Sequence, residues 1–463
     1  MDQETHTEIL TSEQTKFSRE IGVFGGVSII GGIMIGSGIF YLGSYVLERT
    51  GMNSGLALLC WVIAGIITLF GGMCYAELGT AMPRAGGRVV YLDEAYHPAV
   101  GFMAGFSDWL IGGPGSVAAV ALALMGVLRS SFLDISDFGV KMGAVVIIIA
   151  ATLYNLFGVK IASSVQSISM VAKLIPIAII MLAALFVGSV SPDFSLGSAS
   201  TYASENGTSV FSMMAIAIVA ALWAYDGWNN LNTVAEEIRN PKKSLPLALI
   251  IGIGGVTLLY TLFNFAIMKV LPHAEIVTMI QNGDLYLGTA VAKKVLGDAG
   301  SIVVSVGMIL SMFGCMNGLI LAQPRMYYAM AAEGHFFKSF TYMHPKYKVP
   351  YVPIIVQCVF SVGLVFASNL DQLTSFVVVS SMLFSTLVIV AVPVMRKKHP
   401  TIERPYKVWF YPVSIVITAA IFAALLVQSA VEDPLNGLVG FGVPAIGAVV
   451  YFVFDKINKK KAA

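Results

Sequence analysis

Charged side chains are scarce in this sequence of 463 residues: Asp, Glu, Lys and Arg make up 12% of it, whereas 57% of the residues are hydrophobic. A soluble domain carries about 25% charged residues. This composition excludes a soluble globular protein and predicts one that crosses a lipid bilayer several times. The net charge of +2 is also too small to favour nucleic acid as a partner, and we expect none.

Cysteine and histidine are also rare, with four and six residues. The cysteines lie in apolar runs without CxxC or histidine-partnered spacing, which predicts packing residues rather than a metal site or a disulfide framework. The histidines fall in loops or tails, and no spacing joins a nucleophile, a base and an orienting group. We therefore predict no enzyme, no cofactor and no metal.

The first twenty residues are polar and lack an apolar stretch beside a cleavage site, so we expect no secretory signal peptide. Residues 1–20 and the basic residues 456–463 are predicted to be cytoplasmic tails. Lys and Arg are frequent on the same side as these tails. Their scarcity on the other side fixes both termini in the cytoplasm of a protein in the cell inner (plasma) membrane. The outer loops keep only Arg49, Arg129, Lys141, Lys293 and Lys294.

Twelve apolar segments are long enough to cross about 30 Å of hydrocarbon, for which roughly 20 helical residues are needed. We predict an all-α membrane protein with twelve transmembrane helices. The segments are 22–46, 54–82, 98–128, 139–158, 162–188, 210–233, 245–270, 298–326, 350–368, 372–395, 408–429 and 436–455.

The first segment is rich in glycine, which costs about 1 kcal/mol per residue in a helix. The densest point is Gly36, Ser37 and Gly38, near the middle of the span. A helix that breaks there exposes backbone groups, which lipid tolerates only beside protein or a water-filled cavity. Such discontinuous helices form substrate sites in many transporters. The alternative is that these glycines only allow close packing between helices.

The sixth segment carries a second interruption at Tyr225, Asp226, Gly227 and Trp228. Interruptions in corresponding segments of two halves are a pointer to a transporter binding site. We therefore predict a single transporter domain over residues 21–455, built as a 5+5 inverted repeat with broken helices 1 and 6. The repeats cover about 22–188 and 210–395, and two peripheral helices cover about 408–455.

Several motifs occur in order along most of the chain. The most specific is AYDGWNNLNTVAEEIRNPKKSLP at 224–246. The others are MIGSGIF at 34–40, PRAGG at 83–87 followed by Tyr91 and Glu94, AKLIPI at 172–177, FGCMNG at 313–318 and QPRMYYAMAAEGHF at 323–336. Together they resemble the amino acid, polyamine and organocation (APC) transporter superfamily and, within it, the L-type amino acid transporter (LAT) branch. The likeness is to bacterial exchangers of small neutral amino acids such as serine, threonine and alanine.

A substrate site follows from physical reasoning and from this resemblance. The N–H groups of Ser37 and Gly38 and the Ser37 hydroxyl suit a carboxylate, because a helix N-terminus favours negative charge. The resemblance implies that the carbonyls of Met34, Trp223 and Asp226 bind the ammonium, and we expect Asn230, Trp223 and residues near Ser116 to set selectivity. The expected substrate-binding residues are Met34, Ile35, Gly36, Ser37, Gly38, Trp223, Ala224, Asp226, Gly227 and Asn230.

Acidic residues within the apolar segments have several interpretations. Asp226 could pair with the substrate ammonium, or could face away toward polar groups at the cytoplasmic side. Glu77 and Asp108 are placed close to helix ends and are expected to serve structure or gating.

Lys173 lies roughly 18 Å along the fifth segment, near the bilayer midplane. An ammonium at that depth needs acceptors, and the carbonyls freed near Gly31 and Gly32 and the groups near Ser311 are the candidates. Folds that use sodium place the cation against the same broken helix 1, so we predict a fixed cation and transport without sodium. The alternative is a neutral lysine that packs passively.

The predicted function is sodium-independent exchange of small neutral L-amino acids by alternating access. One alternative is proton-coupled uptake of a neutral or cationic amino acid. Another is a non-transporting amino acid sensor with the same fold. We predict no partner heavy-chain glycoprotein, because bacterial relatives generally lack one.

Overall fold

The structure is a computed structural model that describes residues 11, 15–40, 42–192, 194–195, 197–282, 285–367, 370–432 and 434–462. Most of the predicted N-terminal tail, residues 1–10 and 12–14, lies outside the described residues, as does residue 463. Across the described ranges the chain is almost entirely helical, and the β pairing is an isolated bridge between Ile21 and Ile238. The predicted all-α class is confirmed.

The helices of the first part of the chain are numbered in order. They are α1 (Val23–Met34), α2 (Leu42–Arg49), α3 (Ser54–Ala81), α4 (Arg88–Ala95), α5 (Pro98–Ser107), α6 (Gly113–Ser131), α7 (Asp137–Asn155) and α8 (Val159–Val187). A 3₁₀ turn (Ser37–Phe40) lies between α1 and α2, and a π-helical turn (Asp108–Gly112) joins α5 to α6.

The second part continues this numbering. Its helices are α9 (Gly197–Glu205), α10 (Val210–Ala224), α11 (Pro241–Val270), α12 (His273–Gln281), α13 (Leu287–Leu296), α14 (Asp298–Ala322), α15 (Pro324–Ala332), α16 (Tyr351–Ala367), α17 (Leu370–Lys398), α18 (Val413–Glu432) and α19 (Pro434–Ala462). The 3₁₀ segments Trp228–Glu237 and Lys338–Thr341 complete it.

Within the described ranges, nine helices are long and apolar enough to span a membrane, and three shorter apolar helices accompany them. Each predicted segment overlaps one of these helices. The shorter ones are Val23–Met34, Tyr351–Ala367 and Val413–Gln428. Because these three fall below the length of a full crossing, the count of twelve stays a prediction. The sixth segment falls within the span Val210–Glu237, in which the α-helix ends at Ala224 and a 3₁₀ segment begins at Trp228, so the predicted interruption is present.

The glycines of α1 differ in their surroundings from Gly36, which follows the helix. A Cβ on Gly31 would lie 2.4 Å from Met170 Cε, and one on Gly32 would lie 1.7 Å from Gln166 Nε2. These two glycines therefore let α8 pack closely on α1. A Cβ on Gly36 would meet nothing within 4 Å. Packing thus explains the glycines before the break, but not the one within it.

Ion pairs join the ends of the helices. The buried Arg325 at the start of α15 donates from Nε to Glu237 Oε1 at 2.6 Å and from Nη2 to Oε2 at 3.0 Å. Glu77 accepts two bonds of 2.7 Å from Arg396 and one of 2.8 Å from the Val408 N–H. Glu77 therefore ties α3 to the end of α17 and to the loop that follows.

Candidate functional site

The first break follows Met34. The Gly36 N–H donates to the Met34 carbonyl at 2.9 Å, and Ile35 has φ −78° and ψ 82°, so these three residues form an inverse γ-turn. The turn takes Gly36 out of the helical ladder, and Ser37 then begins the 3₁₀ turn. The first N–H groups of such a turn have no partner within it. The Ser37 side chain, with the predicted hydroxyl donor, lies outside the described part of the structure.

The second break follows Ala224. Gly227 has φ +111°, a conformation that L side chains rarely adopt, and a Cβ there would lie 2.5 Å from Ile33 Cγ2. Trp228 then opens the 3₁₀ segment. The second break therefore packs directly on the last turn of α1, so the two interruptions predicted from sequence lie side by side.

Tyr260 of α11 connects the two breaks. Its hydroxyl lies 2.8 Å from the Met34 carbonyl oxygen and 3.1 Å from the Ala224 carbonyl oxygen, and its one proton is shared between them. The ring packs edge-on against both Trp61 and Tyr225. Nothing in the sequence around Tyr260, an aromatic residue in an apolar run, indicates this role.

Two adjoining cavities open at the breaks. The break cavity, about 390 Å³, is lined by both breaks, including Met34, Gly36, Gly38 and Ala224. The ion-pair cavity, about 200 Å³, is lined among others by Arg88, Asp108, Ser116, Gly227, Asn230 and Gln323. Ile33, Ala119, Val120, Trp223, Asp226, Cys315 and Ser381 line both. Apart from Ile35 and Ser37, the expected substrate residues therefore line these cavities, and Ile35 is buried.

Three expected side chains face these cavities. Asp226 is exposed toward both cavities, and Trp223, 42% exposed, forms their common wall. The Asn230 amide donates to the Gly227 carbonyl at 3.1 Å, which holds its side chain at the edge of the ion-pair cavity. Cys315 departs from the expectation that the cysteines only pack, because it also lines both cavities.

The Lys173 side chain is fully buried and reaches the first break. Its Nζ lies 2.7 Å from the carbonyl oxygens of both Gly32 and Ile35, 3.5 Å from that of Gly31 and 3.4 Å from that of Ser311. In an unbroken helix the Gly32 carbonyl would accept from the Gly36 N–H, which instead bonds to Met34. The lysine thus satisfies an acceptor that the break creates.

Asp108 directly follows the end of α5, at the start of the π turn, and lies inside the continuous Pro98–Ser131 stretch. Its position beside a helix end agrees with the expectation, but this end lies within the span. Its carboxylate pairs with Arg88, whose Nε donates to Oδ2 at 2.9 Å and whose Nη2 contacts both oxygens. Arg88 begins the short helix α4, between two of the predicted apolar segments, yet it is buried and lines the cavity. The only sequence signal was the Gly112, Gly113 pair after Asp108.

The donors and acceptors at the breaks suit a small zwitterion rather than a metal ion. In the described parts of the chain, no group of three or more His, Cys, Asp or Glu side chains could hold a metal. The cavities instead offer N–H groups at one helical turn and carbonyl and carboxylate oxygens at the other.

Residues 21–454 match the amino acid permease family. The serine/threonine exchanger SteT of Bacillus subtilis (strain 168) is 30% identical over 454 residues, 98% of this chain and 100% of that protein. The human cystine/glutamate transporter is 30% identical over 458 residues, 97% and 87% of the two chains. The mouse b(0,+)-type amino acid transporter 1 is 30% identical over 443 residues, 94% and 86%. The chain therefore belongs to the amino acid permease family of the APC superfamily, with relatives in its LAT branch, and is a membrane transporter of amino acids rather than an enzyme.

Proposed function

We propose that this transporter exchanges small neutral L-amino acids without sodium, by alternating access. The observation that carries the proposal is the position of Lys173, whose Nζ contacts two carbonyls of the first break at 2.7 Å. Carbonyl oxygens freed by a broken helix are the groups that transporters use to coordinate a coupling cation. A covalently attached ammonium in that position leaves no role for a dissociable one.

The substrate carboxylate is assigned to the turn that begins at Ser37. The N–H groups of Ser37 and Gly38 open that turn, and Gly36 and Gly38 line the break cavity. Unpaired N–H groups and the positive end of the helical dipole both favour an anion. Because Gly36 has no side chain, the carboxylate can approach the backbone there.

The substrate ammonium is assigned to the second break. The Asp226 carboxylate and the carbonyls of Trp223 and Asp226 supply acceptors there. The Met34 carbonyl already accepts bonds from the Gly36 N–H and the Tyr260 hydroxyl. An ammonium that uses Met34 must therefore displace the tyrosine.

The remaining assignments belong to the same proposal. The domain covers residues 21–455, the repeats are 22–188 and 210–395, and both termini are cytoplasmic in the cell inner membrane. The serine/threonine exchanger matches along its whole length, which supports exchange of small neutral substrates. We propose that no heavy-chain glycoprotein is required.

Counterflow in proteoliposomes tests the function. Vesicles loaded with unlabelled alanine should take up labelled serine in sodium-free buffer, whereas empty vesicles should not. Uptake into empty vesicles driven by a pH gradient would instead support proton coupling, for which the cavity-facing Asp226 is the candidate carboxylate. Binding by the detergent-solubilised protein without flux in either vesicle would indicate a sensor.

A further inference from the structure

In the Arg88–Asp108 pair, one nitrogen of the guanidinium makes no hydrogen bond. Arg88 contacts Asp108 through Nε and Nη2, and its side chain is only 8% exposed. Among the described residues, its remaining nitrogen, Nη1, is buried and has no hydrogen-bond partner. A buried unpaired donor is costly, and more so when it is charged. Nη1 therefore offers two N–H groups in a side chain that lines the ion-pair cavity.

The same cavity wall holds an unpaired acceptor. Gln323, between α14 and α15, is 7% exposed, and within the described structure its Oε1 also has no hydrogen-bond partner. Oε1 lies 3.2 Å from where a Cβ would stand on Gly113. The amide oxygen thus lies against the backbone at Gly113, beside the Tyr327 hydroxyl, which would be 1.9 Å from the same Cβ.

Both atoms belong to groups held against one backbone feature, the π turn Asp108–Gly112. The carboxylate of Asp108, which orients Arg88, lies against Gly112, where a Cβ would be 2.6 Å from Oδ1. Gln323 Oε1 lies against the next residue, Gly113. The Tyr327 hydroxyl donates to the Asp108 carbonyl at 3.1 Å and so holds the turn in place. The unpaired donor and acceptor are therefore positioned by a common, fixed element.

The charges around this pair restrict what can bind. Arg88 carries one positive formal charge, and Asp108 and Asp226 carry one negative charge each, so an anionic side chain would meet a net negative wall. A cationic side chain would be placed beside the guanidinium. A neutral group that accepts from an N–H and donates to an amide oxygen satisfies both unpaired atoms.

We propose that Arg88 and Gln323 form a side-chain subsite that selects amino acids with a neutral hydrogen-bonding side chain, a hydroxyl or a carboxamide. The inference rests on the proposed function, because the substrate main chain is held at the breaks and its side chain points past Trp223 and Asp226 into the ion-pair cavity. Arg88 donates from Nη1 to the side-chain oxygen, and the side-chain O–H or N–H donates to Gln323 Oε1. An apolar side chain leaves both protein groups unpaired.

The test compares pairs of competitors that differ mainly by one hydroxyl. Proteoliposomes loaded with alanine take up labelled alanine, while unlabelled serine, alanine, threonine or 2-aminobutyrate competes outside. The unaltered protein should be inhibited by serine and threonine at about 10-fold lower concentrations than by alanine and 2-aminobutyrate, as expected for bonds that involve a charged donor. Asparagine should compete where leucine does not.

Gln323→Met removes the acceptor at similar size and should lower both ratios, although the bond from Arg88 Nη1 remains. The matched control is Gln357→Met, because Gln357 is 2% exposed and lies on α16 away from both cavity walls. The control should keep the ratios of the unaltered protein. Unchanged ratios in Gln323→Met, or no preference for serine and threonine in the unaltered protein, would overturn the subsite. If Gln323→Met does not fold, the preference of the unaltered protein for serine and threonine tests the subsite by itself. Absence of any exchange of alanine or serine would instead overturn the proposed function itself.

Discussion

Lys173→Ala is the change that tests the proposed mechanism most directly. It removes the donor from the carbonyls of Gly32 and Ile35, each 2.7 Å from Nζ. A buried acceptor left without a partner costs about 1–3 kcal/mol, so the two together cost roughly 2–6 kcal/mol. Part of this is regained, because a buried ammonium no longer has to be desolvated and water can enter the space. We expect a net loss of about 1.4–2.8 kcal/mol at the break.

This loss should appear in substrate affinity rather than in insertion into the membrane. The break presents the N–H groups for the substrate carboxylate, so a loosened break should raise the half-saturating concentration for exchange by about 10- to 100-fold. Counterflow of labelled serine measures it, and fluorescence-detected gel filtration in detergent reports whether the variant is folded. Lys160→Ala is the matched control, since Lys160 lies on the same helix, α8, and is exposed.

Two results would refute the reasoning. Full exchange activity in Lys173→Ala would show that the carbonyls of the break need no fixed cation. Exchange by the unaltered protein that rises with sodium would show that an ion binds in addition to the lysine. Equal loss in the Lys160 control would mean that the assay reports general damage to α8.

Substitutions at four further residues probe other parts of the protein. Ser37→Pro should abolish substrate binding because it removes the N–H, whereas Ser37→Ala should weaken binding by about 1.5–3 kcal/mol. Exchange retained by the proline variant in proteoliposomes would contradict the carboxylate assignment. Trp223→Ala should raise the apparent Michaelis constant about 2- to 13-fold, from a lost ring contact of ~0.5–1.5 kcal/mol. An unchanged constant and substrate profile would show that the ring does not contact the substrate. Tyr260→Phe should lower the melting temperature in detergent, because the carbonyls at both breaks lose a donor worth ~1 kcal/mol; an unchanged melting temperature would argue against the bridge. Burial, with Glu333 and Glu94 nearby, raises the pKa of the Asp93 carboxyl on α4, between the apolar spans, from 3.8 to about 7. The folded state therefore binds the proton more tightly, and stability falls as pH rises from about 4 to 7. Asp93→Asn should raise the melting temperature at pH 8 and change it little at pH 4, and an equal effect at both values would be inconsistent with this titration.

The breaks could be predicted from sequence because glycine is unfavourable inside a helix and apolar flanks fix the depth. Gly36 and Gly227 carry that signal on their own. The depth of Lys173 was also readable, since the rise per residue in a helix is constant. The roles assigned to these residues remain predictions, but their proximity in the structure follows from the order of the segments.

The Arg88–Asp108 pair could not be predicted, because it joins a short helix between two apolar segments to the interior of the next segment. Whether two such groups meet depends on the tertiary path of the chain. The π turn is invisible in composition, and it places Asp108, which directly follows α5, in a cavity wall. Tyr260 was missed for a related reason. Its hydroxyl meets two carbonyls that are free only because both breaks exist. The sequence also did not show that the Met34 carbonyl is already bonded.

A cation that is joined covalently to α8 has a thermodynamic consequence for the whole cell. The Lys173 side chain cannot leave α8 for either compartment, so as long as it keeps its proton this cation has no concentration gradient and contributes no work to transport. If no other ion binds, each inward step of one amino acid is driven only by the outward step of another. Such a transporter changes the composition of the intracellular amino acid pool while leaving its total size constant, and accumulation of any one substrate then depends on separate proteins that synthesise or import its counterpart.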